Sequence, residues 1–211
     1  TSIGTSTRNN EGNKTYIGLS SGKFGILQIP QNTAPSFTSG YPQLNSTDGS
    51  NLTTRNLRVN FVANDTNADD RTLRYNLTVY TNNNTNFTLN NIYYINGTMQ
   101  VETLQSRNFT KGQTWKAQIN LWDNDTNTYA NTSEILILNT PPAFQVNPVI
   151  NSTNALNTTE QNLNVFFTGN ESDVNDRINY SIMVFRNNIT NFSLYNIPTT
   201  NGTFTNFIIN N

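Results

Sequence analysis

Apolar and polar residues alternate with period two along most of this chain. Leu57, Val59, Phe61 and Ala63 share one face of a run whose other face carries Arg58 and Asn60. The next run sets Leu73, Tyr75, Leu77 and Val79 against Arg74, Asn76 and Thr78. Trp115, Ala117, Ile119 and Leu121 alternate in the same way, and Ile135 to Leu138 form a shorter apolar stretch. Leu163, Val165 and Phe167 take up the pattern again, followed by Ile178, Tyr180, Ile182 and Val184. Polar clusters separate the runs. Successive side chains of a pleated strand point to opposite faces, so these are strands with one buried face, and the chain reads as all-β.

The runs come in two copies. Asn32-Thr33-Ala34-Pro35-Ser36-Phe37 recurs as Asn139-Thr140-Pro141-Pro142-Ala143-Phe144. Leu57 to Phe61 recurs as Leu163 to Phe167, Asn83 to Leu89 as Asn188 to Leu194, and Asn96-Gly97-Thr98 as Asn201-Gly202-Thr203. The offset stays between 105 and 107 residues. Self-similarity at a fixed period marks tandem structural units. The expected boundaries are an N-terminal segment 1–31, a complete unit 32–138 and an incomplete unit 139–211 that has no counterpart of residues 107–138. Pro35, Pro141 and Pro142 stand at the unit starts, away from central strands that proline would interrupt.

The N-terminal segment holds two apolar runs, Tyr16-Ile17-Gly18-Leu19 and Phe24-Gly25-Ile26-Leu27-Gln28-Ile29, with Ser20-Ser21-Gly22-Lys23 as a turn between them. The second run leads into Asn32-Thr33-Ala34-Pro35, as Ile135 to Leu138 leads into Asn139-Thr140-Pro141-Pro142. Residues 14–31 therefore read as the closing strands of a preceding sandwich, while 139–211 lacks its own. An open sandwich leaves an apolar trench and unpaired backbone edges, both costly in water. The expectation is donation in trans. Tyr16, Ile17, Leu19, Phe24, Ile26, Leu27 and Ile29 of one chain fill a groove formed by Leu163, Val165, Phe167, Ile178, Tyr180, Ile182 and Val184 of an identical neighbour. Two other placements stay open: closure within one chain, and an extra hairpin packed on 32–138. An excerpt from a longer array would show the same ragged ends. Residues 1–13 carry only Ile3 as a large apolar group and read as an extended leader.

Composition changes the picture in two ways. Charged residues make up 12% of the chain and the formal net charge is −1, so the basic face that a nucleic-acid partner needs is missing. No apolar run reaches the length of a membrane span. The chain has neither cysteine nor histidine, which removes disulfides, the thiolate nucleophile, the commonest soft-metal ligands and the usual general base near neutral pH. No catalytic residue, cofactor or metal site is expected.

The second change comes from 41 Asn, 32 Thr and 14 Ser. Random placement would give about nine Asn-x-Ser/Thr sequons; there are 18, none with proline at x. They begin at Asn13, Asn45, Asn51, Asn64, Asn76, Asn83, Asn86, Asn96, Asn108, Asn124, Asn131, Asn151, Asn157, Asn170, Asn179, Asn188, Asn191 and Asn201. The excess predicts heavy N-glycosylation and an extracellular, cell-surface location. Asn76 and Asn179 fall on the outward face of their strands, where a glycan reaches water.

The loop from Asp65 leading to the Leu-x-Tyr strand at Tyr75, repeated from Glu171 to Tyr180, resembles fibronectin-type-III-like and immunoglobulin-like sandwich repeats of prokaryotic surface proteins. So do the strand bearing Trp115 and the exit Asn139 to Pro142. This resemblance covers 32–211 and implies two tandem β-sandwich domains. With the split unit and the sequons, the architecture resembles the archaeal thread-type pilins. That family implies a head-to-tail homopolymer joined by donor-strand complementation and serving adhesion or biofilm formation. A carbohydrate-binding module or an S-layer-type repeat segment is the alternative from a different class.

Other constellations carry less. Asp65/Asn67/Asp69, Asp123/Asp125/Asn127 and Glu171/Asp173/Asn175 invite a calcium reading. The middle cluster has Thr128 where an EF-hand needs glycine, and strands where it needs helices. Interstrand loops held by Asx-turns are the simpler account. Carboxylate pairs such as Asp69-Asp70 sit in loops with no pocket motif beside them, which is a poor start for a glycosidase. Tyr80 and Trp122 are expected to point outward, under partial cover.

Overall fold

The computed structural model describes residues 32–67, 73–123 and 125–210 in full, and the backbone of 7–8, 14–18 and 24–28. Among the described residues the chain is all-β, with one short 3₁₀ turn at Ser106–Asn108 and no α-helix. In order, the strands are β1 (Thr7–Arg8), β2 (Lys14–Gly18), β3 (Phe24–Gln28), β4 (Ser36–Phe37), β5 (Gln43–Ser46), β6 (Leu57–Asn64), β7 (Leu73–Thr81) and β8 (Asn84–Tyr94). They continue with β9 (Met99–Leu104), β10 (Thr114–Trp122), β11 (Asn127–Asn131), β12 (Ile135–Leu136), β13 (Ala143–Ser152), β14 (Leu163–Asn170), β15 (Ile178–Arg186), β16 (Ile189–Thr199) and β17 (Phe204–Ile209). All strand pairings are antiparallel.

Two sheets form between residues 36 and 136, and the arrangement is consistent with a β-sandwich. In the first, β6 pairs with β4 and β5 along one edge and with β9 along the other. In the second, β7 lies between β8 and β10, and β10 pairs further with β11 and β12. The period-two pattern explains the layering. Leu57, Val59, Phe61 and Ala63 of β6, Leu73, Tyr75, Leu77 and Val79 of β7, and Ala117, Ile119 and Leu121 of β10 are all fully buried in one cluster. Phe61 sits at its centre, edge-on to Tyr75 at 5.0 Å and stacked with Tyr94 at 5.3 Å. Trp115 packs edge-on against Phe109 at 4.8 Å. Burial raises the Tyr75 phenol well above its usual range, and the Glu102 carboxylate that it hydrogen-bonds raises it further.

Strands β13 to β17 repeat the first half of this plan. β14 lies between β13 and β17, as β6 lies between β4/β5 and β9. β15 pairs with β16 as β7 pairs with β8, with the same bulges: the register slips between Tyr75 and Leu77 in one and between Tyr180 and Ile182 in the other. The sequence dictates the matching turns. Asn82-Asn83 and Asn187-Asn188 all take positive φ, the two-residue hairpin geometry that asparagine tolerates better than other side chains. Phe144, Phe167 and Tyr180 form the same edge-to-face chain as Phe37, Phe61 and Tyr75. The strands β1, β2 and β3 make a separate sheet in which Tyr16 stands opposite Ile26 and Gly18 opposite Phe24.

Candidate functional site

The difference between the two strand sets defines the site. β7 is covered by β10 over eight residue pairs, Arg74 to Thr81. Its counterpart β15 pairs with β16 alone, and no described strand lies against its other edge; an edge of that kind is a template for a further strand. The core follows the same rule. The seven positions Leu57, Val59, Phe61, Leu73, Tyr75, Leu77 and Val79 are each 0% exposed. Of their counterparts, Phe167, Ile178 and Ile182 are buried, Val165, Tyr180 and Val184 are half-buried, and Leu163 at the sheet end is 36% exposed. Along β15 the more buried Ile178, Tyr180, Ile182 and Val184 alternate with exposed residues, whereas burial along β14 does not alternate, and the cover over both is partial. Phe144, Phe167, Gly169, Ile178 and Tyr180 border an open, largely apolar hollow of about 270 Å³. The edge strand is also apolar on its outer face, where Met183 and Phe185 are more than half exposed.

The segment expected to donate is a hairpin. β2 and β3 pair from Lys14↔Gln28 to Gly18↔Phe24, which places Tyr16, Ile17, Phe24, Ile26 and Leu27 on its two strands. Leu19 and Ile29 lie outside the described residues. The hairpin bonds to β1 and to no strand of the other sheets among the described residues, and residues 7–8 of the expected leader are part of that sheet.

Of the sequons, Asn13 and Asn124 lie outside the described residues. Asn45, Asn64, Asn83, Asn86, Asn108, Asn131, Asn157, Asn170, Asn179, Asn188, Asn191 and Asn201 are exposed; Asn51, Asn76, Asn96 and Asn151 are half-buried. Two of them have a structural task that the sequon pattern does not disclose. The Asn96 amide donates to the Asp65 carbonyl (2.7 Å) and its oxygen accepts from the Asp65 N–H (2.8 Å). Asn201 makes the same pair of bonds to Glu171, both at 2.7 Å. Each closes a turn in which the next residue, Gly97 or Gly202, has positive φ.

The acidic clusters behave as Asx-type loops. The Asp65 carboxylate accepts from the Asn67 N–H, that of Asp123 from Asp125 and Thr126, and that of Glu171 from Asp173. Burial would raise the Asp123 carboxyl, but the Thr126 N–H and hydroxyl, the Asp125 N–H and the Asn32 amide outweigh it and hold the group at about 2. Glu171, Asp173 and Asp176 bring their carboxylates within 4.8 Å of one another. Lys111 forms an ion pair with Asp176. The two oxygens of Asp173 accept from the Thr53 hydroxyl and from the Thr140 N–H at 2.7 Å.

These last contacts form a joint that sequence reasoning missed. Thr53 and Lys111, from loops of the first strand set, grip Thr140, Asp173 and Asp176 at the head of the second. The Thr53 and Thr140 hydroxyls are 2.7 Å apart, and Thr53 N–H donates to the Leu138 carbonyl at 3.1 Å. The sequence signal was faint: Thr33/Asn67 and Thr140/Asp173 recur in the two copies at similar but unequal separations, 34 and 33 residues. Tyr80 is half-buried with the Lys116 ammonium 5.5 Å from its ring centroid, and Trp122 is half-buried, so both outward aromatics are partly covered by their own chain. No helix among the described residues is long and apolar enough to cross a membrane. No protein-family model and no curated protein matches this chain.

Proposed function

We propose that this chain is a structural subunit of an extracellular, N-glycosylated filament, serving adhesion or biofilm formation, as its resemblance to the archaeal thread-type pilins implies. Residues 32–138 and 139–211 are two tandem sandwich domains. The hairpin of β2 and β3 from one subunit adds to the free edge of β15 in the next and covers its groove. In this arrangement β2 takes the place that β10 has beside β7, and β3 takes the place of β11 and β12.

One observation carries the reading: equivalent strands with equivalent inner faces differ in cover. β7 has a neighbour on both edges and a fully buried face; β15 has, among the described residues, a neighbour on one edge and a face only partly buried. A hairpin of suitable length and apolar content is present in the same polypeptide and, among the described residues, bonds to neither set of strands. Main-chain bonds supply the adhesion in such strand addition, and alternate side chains supply the register.

Electron microscopy of the intact chain, beside one lacking residues 1–31, tests this. Filaments are expected from the first and only isolated subunits from the second. A free peptide spanning 14–31, added to the intact chain, should cap growing ends and shorten the filaments. Filaments from the truncated chain, or lengths indifferent to the peptide, refute strand donation.

A further inference from the structure

The second strand set lacks a tyrosine with which the first one fills its core. Tyr94 ends β8, opposite Leu73 of β7. Its ring stacks on Phe61 at 5.3 Å. Its hydroxyl accepts from the Ala63 N–H at 2.8 Å and donates to the Thr98 carbonyl at 2.6 Å, with the Ala63 carbonyl 3.1 Å away. The residue is 1% exposed.

A threonine holds the equivalent position in the second set. Thr199 of β16 stands opposite Ile178 as Tyr94 stands opposite Leu73. Each lies two residues before an Asn-Gly turn, Asn96-Gly97 or Asn201-Gly202. The surroundings are kept. Phe167 meets Tyr180 edge-on at 5.0 Å, as Phe61 meets Tyr75. Gly169 takes the place of Ala63, and its carbonyl accepts from the Gly202 N–H at 2.9 Å, as that of Ala63 accepts from Gly97. Thr199 is too short to replace the ring, and its hydroxyl instead meets that of Thr205 at 2.8 Å. Phe167, Gly169 and Ile178, the counterparts of Phe61, Ala63 and Leu73, all border the hollow of about 270 Å³. Asn179 and Ser181 border it too, so it reaches the strand whose other edge no described strand covers. Protein cores are close-packed, and a space of this size is out of keeping with a finished one.

We infer that this hollow is a receptor for a phenol ring, and that Tyr16 of a second copy of the chain fills it as Tyr94 fills its counterpart. The inference rests on the filament reading above and names the side chain that anchors the donated hairpin. Tyr16 is the one tyrosine in residues 1–31. It lies on β2, the strand that adds to β15 in that arrangement. Phe24 lies on β3, one strand further from the hollow, and has no hydroxyl. The rings of Phe144, Phe167 and Tyr180 suit edge-to-face contact with another aromatic. Gly169 supplies the backbone position that meets the Tyr94 hydroxyl in the first set.

A swap in the intact chain tests this. Thr199→Tyr puts a ring into the hollow from its own strand, so Tyr16 meets an occupied site and filaments should be lost. Tyr16→Ala should raise the subunit concentration needed for filaments by roughly tenfold or more, as loss of a buried aromatic anchor does. The double variant Thr199→Tyr/Tyr16→Ala should regain filaments, because the ring then comes from within and the donor no longer collides with it. Sedimentation and electron microscopy read all of these. Unimpaired assembly of either single variant overturns the anchor and leaves strand donation standing. So does a double variant no better than Thr199→Tyr when circular dichroism shows both folded. If Thr199→Tyr does not fold, nitration of the unmodified chain by tetranitromethane decides. Peptide mass spectrometry should find Tyr16 nitrated several-fold more slowly in filaments than in a free peptide spanning 14–31, and equal rates overturn the anchor. Failure of the unmodified chain to form filaments overturns the filament reading, and the anchor with it.

Discussion

Val59 and Val165 occupy equivalent positions in β6 and β14, and the same truncation at the two should read out differently. Val59 is 0% exposed. Val59→Ala removes two methyl groups from a filled core, about 1.6 kcal/mol of transfer free energy and roughly 2 kcal/mol once the cavity is included. Val165 is half-buried on the open face, so in the isolated chain Val165→Ala costs roughly 1 kcal/mol. Covering the groove restores the full cost. That difference of about 1 kcal/mol must then appear in the affinity for whatever covers it, as an approximately fivefold weaker Kd. The assay is binding of a fluorescent peptide spanning residues 14–31 to the chain lacking 1–31. The core around Phe61 draws on residues from Phe37 onward, so this truncation leaves it whole. Wild-type and Val59→Ala chains should bind alike, and Val165→Ala about fivefold more weakly. Equal affinity for Val165→Ala, or an equal loss in Val59→Ala, would refute the idea that residues 14–31 fill this groove.

Three further outcomes follow from the same structure. The Asp123 carboxyl titrates at about 2 when folded, below its unfolded value of about 3.9. It therefore contributes stability, at most roughly 2–3 kcal/mol, that is present above pH 4 and lost as pH falls through 2. Denaturation of Asp123→Asn against wild type should show that gap at pH 7 and none near pH 1.5. Tyr94 donates its buried hydroxyl to the Thr98 carbonyl at 2.6 Å and accepts from the Ala63 N–H at 2.8 Å. Tyr94→Phe strands that N–H and should cost about 1–3 kcal/mol in urea unfolding. Glycopeptide mass spectrometry should find sugar at exposed positions such as Asn108, Asn170, Asn179 and Asn188, but not at Asn96 or Asn201. In those two the amide nitrogen that would carry the glycan already bonds the Asp65 or Glu171 carbonyl.

The strands were readable because burial on one face imposes period two on the sequence. Leu57 to Ala63 and Leu73 to Val79 alternate without error, and the structure buries every expected position. The same rule found the inner face of β15, where Tyr180 keeps its phase even under partial cover, but burial along β14 does not follow it. It could not say how far each was covered, because alternation records which way a side chain points and not what stands opposite. The joint was invisible for a related reason. Thr53, Thr140 and Asp173 are common loop residues, and their meaning arises from contacts across 87 and 120 positions of sequence. At Asn96 and Asn201 the sequon pattern did not disclose that the same asparagine clamps a turn.

Partial cover, and not mere exposure, is what gives the open groove its significance. A face designed for water would replace its inner apolar residues with polar ones, as the outer faces of β6 and β7 do with Arg58, Arg74 and Asn76. Strand β15 keeps Tyr180, Ile182 and Val184 inward and adds Met183 and Phe185 outward. Such an edge, left bare, invites indiscriminate pairing. Under the proposed glycosylation, the eighteen sequons spread over a chain with little charge would supply the complementary restraint: bulky solvated groups on the broad faces would leave an edge as the approach for another chain. Asn179, at the head of β15, is exposed and borders the hollow, so a glycan there would stand at the groove. The argument predicts that the chain freed of its glycans should aggregate laterally where the glycosylated chain grows end to end. Light scattering of the two forms at equal concentration measures the difference, and identical aggregation would show that the sugars play no part in directing assembly.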